Sequence, residues 1–376
     1  MKRRLVSATA AAGLVLGLAL AGTTAATADP NPNAPGTPPA GKSAADIYAA
    51  VGADAFAELT NNLVSVYDAQ TPAPAHVLAS YDAINPVTGA AGEQITSKPG
   101  CSVARPNGAN AGINTILLNQ KSDASTGGDG TSYCVDFVRS SRSKGTAAGE
   151  ANLTFYAQSR DAVSYAVLGN AYAPTTPLTT QQLKDIFECT TTDWSEVGGQ
   201  PGAIHVYLPP DSAATLTFFL QAIGTNLTNV KAGCTGLPTV FSGQQNDGTS
   251  LNGDPQGILP YAVTKWAAQV NQPPGIRDLR GGVHIGTVNT TTAPTTTTVL
   301  GGTTYQVLNP AFTTGTSASF GRYFYNVVRN DAPQELKDVF RAGGFLCQHA
   351  NELLVPFGNT PLGDDTSASQ YCGKAN

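Results

Sequence analysis

Thr179-Thr180-Gln181-Gln182-Leu183-Lys184-Asp185-Ile186-Phe187, followed by Asp193-Trp194-Ser195-Glu196, is the stretch that decides how this chain reads. Leu183, Ile186 and Phe187 recur at helical spacing, so residues 179–187 form a helix with one apolar face. Thr179 or Thr180 stands where a side-chain oxygen accepts from the first-turn N–H groups. Immediately upstream, 153–156 and 162–168 are short apolar runs that read as two strands. Downstream, 204–208 is a strand broken by Pro209-Pro210, and Leu216, Phe219 and Leu220 carry on as a helix. Strand and helix in alternation imply an α/β fold.

The same reading extends to both sides. Ser43 is an N-cap candidate for a helix through residue 50. A second helix covers 55–68, with Phe56, Leu59, Leu63, Val66 and Tyr67 at the helical period. Residues 76–81 and 135–138 read as strands, with a helix marked by Ile113, Ile116 and Leu117 between them. Strands at 257–263 and 320–328 and a helix at 333–342 follow. Residues 287–304 are Thr-rich with Pro294 inside, which suits a surface hairpin or loop. No internal repeat is visible.

The N-terminus carries its own signal. Lys2, Arg3 and Arg4 precede an apolar run over 5–21, and Ala26-Thr27-Ala28 is a small-x-small cleavage site. Residues 1–28 therefore read as a signal peptide cleaved after Ala28, which makes the mature chain secreted. Retention as a membrane anchor is the alternative, for which the run is short. No cysteine stands at the end of the run, so the usual lipid-anchoring site is missing. Residues 29–42 form a Pro-rich leader, expected to be mobile.

Charged residues make up 12% of the chain and the formal net charge is −5. No basic patch is visible, which argues against nucleic acid and anionic membranes as partners. Six cysteines remain in an oxidising compartment, and disulfides are the natural reading. Sequential pairing, Cys101 with Cys134, Cys189 with Cys234 and Cys347 with Cys372, is favoured among about 15 possibilities because each pair falls within one stretch of chain. Metal binding is the rival reading, but no C-x-x-C exists and His76, His205, His284 and His349 form no ligand-spaced pair. No metal and no cofactor is expected.

Gly36-Thr37-Pro38-Pro39-Ala40-Gly41-Lys42-Ser43 fits the phosphate-cradling pattern G-x-x-x-x-G-K-S. That loop works through backbone N–H groups, and Pro38 and Pro39 have none, so the match is read as chance. There is no G-x-S-x-G and no H-E-x-x-H, so catalysis is not expected. Three small-residue turns lead into helix starts: Gly52-Ala53-Asp54-Ala55, Gly108-Ala109-Asn110-Ala111-Gly112 and Asp211-Ser212-Ala213-Ala214-Thr215. A helix start presents free N–H groups and a positive dipole end, which suits an anion. Ordinary capping explains any one of them alone.

Taken together, these stretches resemble the phosphate-binding family of type II periplasmic solute-binding proteins. The 179–187 helix with Asp193-Trp194-Ser195-Glu196 is similar to the family's most specific segment. Asp161 to Val167 resembles the strand entering the second lobe, and Asn246-Asp247-Gly248 with Gly257-Ile258-Leu259-Pro260-Tyr261 the return crossover. Asn107 to Ile113, Asp136 to Arg142 and Arg322-Tyr323-Phe324-Tyr325-Asn326-Val327-Val328 look like a secreted actinobacterial branch.

The resemblance implies a two-lobed fold, each lobe a mixed sheet flanked by helices. It places lobe I at 43–158 and 258–376 and lobe II at 159–257. It also implies a monomer that binds phosphate or another small oxyanion in the cleft and hands it to an ABC-transporter permease. The site departs from the family. Ala55 and Ala109 replace two hydroxyl residues, and Ser141, after Arg139 and Ser140, stands for an aspartate. In the segment R-x-D-G-S-G-T the arginine has become Pro209 and the serine Ala213, while Asp211 and Thr215 remain. Each lost charge-assisted bond removes roughly 1.5–3 kcal/mol. The expected cleft residues are Ala109, Asn110, Arg139, Ser140, Ser141, Asp211, Ser212 and Thr215, with Arg139 and Arg142 as replacement charges. The alternative function is a secreted interaction or scaffold protein that keeps the fold without a small ligand.

Overall fold

The computed structural model describes residues 29–30, 34–211 and 213–376. The signal-peptide reading and Ser212 lie outside the described residues. In chain order the elements begin with β1 (Ile47–Gly52), α1 (Ala57–Asp68), β2 (Val77–Ser80), β3 (Gln94–Lys98), β4 (Cys101–Ala104), α2 (Ala109–Leu117) and β5 (Phe137–Ser140). The middle holds β6 (Leu153–Leu168), α3 (Thr180–Phe187), β7 (His205–Leu208), α4 (Ala214–Ala222), α5 (Leu227–Gly233), β8 (Val240–Ser242), β9 (Gly257–Ala262), α6 (Val263–Asn271) and β10 (Val283–Ile285). The chain ends with β11 (Thr295–Leu300), β12 (Thr303–Leu308), β13 (Gly321–Arg329), α7 (Gln334–Phe340), α8 (Phe345–Gln348), α9 (Ala350–Leu354) and β14 (Thr360–Pro361).

One mixed sheet runs β2-β1-β5-β13-β6-β9-β7-β8. β1 pairs in parallel with β2 and β5, and β7 in parallel with β9 and β8. The central pairs β5–β13, β13–β6 and β6–β9 are antiparallel. β6 organises the molecule. Its 16 residues extend about 50 Å. Its first part, Leu153 to Ala162, pairs with β13, and Val163 to Ala166 pair with β9. Two large apolar cores result. One draws on β1, β5, the start of β6, the end of β13 and the C-terminal helices; the other on the far part of β6 and on α3, α4, β7 and β9.

Where β6 and β13 cross between the cores, a buried ion pair ties three elements. Arg322 Nε donates to Asp161 Oδ2 at 2.7 Å, and the Thr264 N–H and hydroxyl, at the start of α6, donate to Asp161 Oδ1 at 3.1 and 2.7 Å. Both charged side chains are buried.

Thr179 is the N-cap of α3: its hydroxyl accepts from the Gln182 N–H, and the Gln182 side chain accepts from the Thr179 N–H. The Thr-rich segment contains the hairpin β11–β12. All three sequential disulfides are present, Cys101–Cys134, Cys189–Cys234 and Cys347–Cys372.

Three sequence expectations change. Residues 43–50 are not a helix. Ser43 caps a single turn of 3-10 helix at Ala44–Asp46, and the chain then becomes β1. Every residue of β1 is buried because the strand lies between β2 and β5 with both faces covered, so no alternation marks it. The absence of a helix after Ser43 also removes the context a phosphate loop requires, and the Gly36 N–H donates to Asp29 Oδ2 at 2.7 Å. The two strands expected at 153–156 and 162–168 are one continuous strand, because the polar residues between them pair with β13. The leader is held at two points: Asp29 is buried in a bidentate pair with Arg105 at 2.9 and 2.8 Å, and Gly36 O accepts from the Thr96 N–H.

Candidate functional site

The turn after β1 is shaped by glycine. Gly52 has φ +123°, and a Cβ there would lie 2.5 Å from Arg139 O. A Cβ on Gly112 would lie 2.8 Å from Gly52 Cα. Two bare backbones therefore meet, and the first turns of α2 rest directly on the end of β1. The start of α2 has no side-chain cap, since its N-cap is Gly108, and Ala109 is buried. α4 likewise begins at Ala213 with no side-chain cap, and both Ala213 and Thr215 are buried. Ala214 packs against the first core although α4 belongs to the second.

The charges expected to face a ligand are engaged elsewhere. Arg139 is fully buried; its Nε donates to Ala53 O, Nη1 to Ser80 Oγ at 2.7 Å and Nη2 to Tyr81 O at 2.6 Å. It fastens the ends of β1, β2 and β5 to one another. Arg142 forms a two-point pair with Glu150 at 2.8 and 3.1 Å, and its Nε donates to Asn110 Oδ1 at 2.6 Å. The Ser140 hydroxyl donates to Arg142 O. Asn110, Ser140 and Arg142 are thus brought together. Asp211 is exposed and pairs with Lys231. Ser141 is different: it is 2% exposed and its Oγ has no hydrogen-bond partner.

A cavity of about 290 Å³ opens on another set of residues. None of the seven described residues of the expected cleft set lines it. Its walls come from the turn after β1 and the start of α1 (Asp54, Glu58), the segment after β2 (Asp82), the crossover before β9 (Gln245, Asn246) and α6 (Lys265, Gln269). Lys265 Nζ lies 2.6 and 2.5 Å from the two Glu58 oxygens. Tyr261 OH donates to Gln269 Oε1, and Gln269 Nε2 donates to Asn246 O, so the amide wall is fixed in orientation. Sequence reasoning had singled out the turn with Asp54 for its backbone N–H groups and Asn246-Asp247-Gly248 for its resemblance to a crossover. Lys265 and Asp82 carried no signal, because only the fold brings them to Glu58 and Asp54.

Burial raises Asp54 above the ordinary carboxylate range, and it raises Asp82 to about 7, with the Glu58 charge adding to the effect. Burial also raises Asp68 to about 6. These carboxyls hold protons in the fold that the unfolded chain sheds near pH 4, so stability declines as pH rises through 4 to 7. His284 opposes them: burial lowers its pKa, and its contribution is lost as pH falls below 6.5. Carboxylates held low by hydrogen bonds, such as Glu150 against Arg142, lose stability only at more acidic pH. Three carboxyls outweigh one imidazole, and the melting temperature is expected to be higher at pH 5.5 than at pH 8. A flat profile between those values in a thermal melt would contradict this assignment.

The fold is shared with solved structures at low sequence identity. An ABC-type phosphate transport receptor from Vibrio cholerae superposes with a TM-score of 0.53 at 17% identity, covering 83% of this chain and 98% of that one. A protein from Clostridium perfringens assigned as a phosphate ABC transporter substrate-binding protein, solved with bound phosphate, gives 0.55 at 14% identity, covering 84% of this chain and all of that one. A human phosphate binding apolipoprotein gives 0.50 at 16% identity, covering 85% and 92%. No curated protein matches the sequence significantly. Residues 50–335 match the PBP_like_2 family model, a PBP superfamily domain, and with more than half of its length inside that match the chain belongs to this family.

Proposed function

We propose that this protein is a secreted solute-binding protein that takes a small oxyanion, phosphate or one of similar shape, between lobes at 43–158 with 258–376 and 159–257. The observation that carries this reading is Ser141: a buried hydroxyl without a partner, at the end of β5, where the resemblance places a ligand-contacting carboxylate. A hydroxyl can donate where a carboxylate only accepts, which suits a fully ionised anion. The uncapped, buried starts of α2 and α4 supply backbone donors. Arg139, Arg142 and Arg322 are all engaged, Arg322 through its Nε with Asp161, so backbone N–H groups and the Ser141 hydroxyl supply the donors in this reading. The reading includes a monomer that delivers its solute to an ABC-transporter permease.

The test is calorimetry of the protein, unfolded and refolded to strip carried ligand, against phosphate, arsenate and sulfate. Binding at micromolar affinity or tighter is expected, weakened roughly tenfold in Ser141→Ala, the equivalent of about 1.4 kcal/mol. Silence across the anions, with no thermal-shift stabilisation, would overturn this reading in favour of a scaffold that keeps the fold for contacts with other macromolecules.

A further inference from the structure

We propose that the cavity between Asp54, Glu58, Asp82 and Asn246 is a separate binding site for a small polar solute that carries an ammonium group. The inference uses none of the anion-site residues and stands or falls apart from that reading.

Charge is the first argument. Four carboxylates, Asp54, Glu58, Asp82 and Asp247, line the cavity, and the inner cation on its wall, Lys265, is held two-pronged by Glu58. Arg139, behind the wall, has its donors committed to Ala53 O, Ser80 Oγ and Tyr81 O. Arg277 stands on the exposed rim, and Asp247 accepts from Thr249 in its own turn. Asp54 and Asp82 are therefore left with little. Asp54 has one long contact, 3.4 Å from Asn246 Nδ2, and Asp82 one hydrogen bond, 2.8 Å from Asn61 Nδ2. Carboxylates that face a void with unused lone pairs favour a cation that brings its own donors.

The second argument is an orphaned acceptor. Asn61 is 5% exposed and stands behind Asp82, one residue removed from the cavity lining. Nδ2 donates to Asp82, while the Oδ1 on the same amide has no partner. A donor entering beside Asp82 would satisfy both residues. A bare metal ion does not fit, because among the described residues no three carboxylate, histidine or cysteine side chains converge on one point. An ammonium with three N–H donors matches separate acceptors. The cavity lies near the lower end of small-ligand pockets, which suits an amino sugar or a short amine rather than a peptide.

Asp82 also gives the site a pH signature. It is faced by Glu58 and Asn61 of α1, by Asp29 of the leader, by Arg139 of β5 and by Lys265 of α6. Cation binding favours its ionised form, so affinity should rise between pH 6 and pH 8.

The test is calorimetry and thermal shift with two matched pairs, glucosamine against glucose and putrescine against 1,4-butanediol. At least one amine should bind saturably, and its neutral twin at least tenfold more weakly. Asp54→Asn and Asp82→Asn remove charge with little change of shape, and each should weaken the amine at least tenfold without lowering the melting temperature. Absence of binding by either amine, equal binding of the twins, or full affinity in both variants would each overturn the proposal. Phosphate titration of Asp54→Asn reads the anion site separately, and its affinity there should not fall.

Discussion

Asp161→Ala is expected to lower the unfolding free energy by about 3–5 kcal/mol. The carboxylate is fully buried and accepts from Arg322 Nε and from both donors of Thr264. Its removal leaves Arg322 with a buried, unpaired charge beside the rings of Phe218 and Phe324, 5.5 and 5.6 Å from its centre. The same change strips the start of α6 of its acceptor. The loss should appear as a lower urea midpoint with an unchanged slope. A double replacement, Asp161→Leu with Arg322→Met, removes both charges together and should recover most of the loss, because the destabilisation comes from the orphaned partner rather than from the value of the pair. If the double variant is as unstable as the single one, the crossing depends on the ion pair itself.

Trp194→Ala should cost a similar amount, about 3–5 kcal/mol. Trp194 is among the largest wholly buried side chains and sits in the second core. Its indole N–H donates to Gln256 O at 3.0 Å, just before β9. Deleting the ring opens a cavity and removes one of the two donors to that carbonyl, leaving it the His205 N–H. Trp194→Phe separates the two effects: it keeps much of the ring, loses the hydrogen bond and should cost markedly less than the alanine. Equal losses for the two variants would place the whole effect in the hydrogen bond. Urea denaturation followed by circular dichroism measures both.

Local chemistry made some features readable in advance and left others hidden. The cap at Thr179 and the face of Leu183, Ile186 and Phe187 are short-range patterns, and α3 forms where they put it. Ala49 and Ala50 carry no periodicity, and only the flanking strands β2 and β5 make their segment a strand. Gln158, Ser159 and Asp161 looked like a break between two strands because polar residues seldom fill a buried strand; their partners lie in α6, β13 and beyond, more than 100 residues away. Arg139 looked like a ligand's cation for the same reason. A sequence does not reveal that Ala53 O, Ser80 Oγ and Tyr81 O converge on one guanidinium. The cavity is the extreme case, assembled from five separated stretches that share no motif. The sequential cystine pairing was legible because each pair closes one short stretch of chain.

The first core combines residues from 47 to 157 with residues from 324 to 372, and Asn376 exchanges backbone hydrogen bonds with Phe155. A ribosome releases the chain from its N-terminus, so β1, β2 and β5 appear some two hundred residues before β13, the neighbour that covers β5. During synthesis this half has no complete sheet to close. The nascent chain stays loose enough to be threaded through a narrow pore, and it exposes a bare strand edge to any other chain nearby until its last segment arrives.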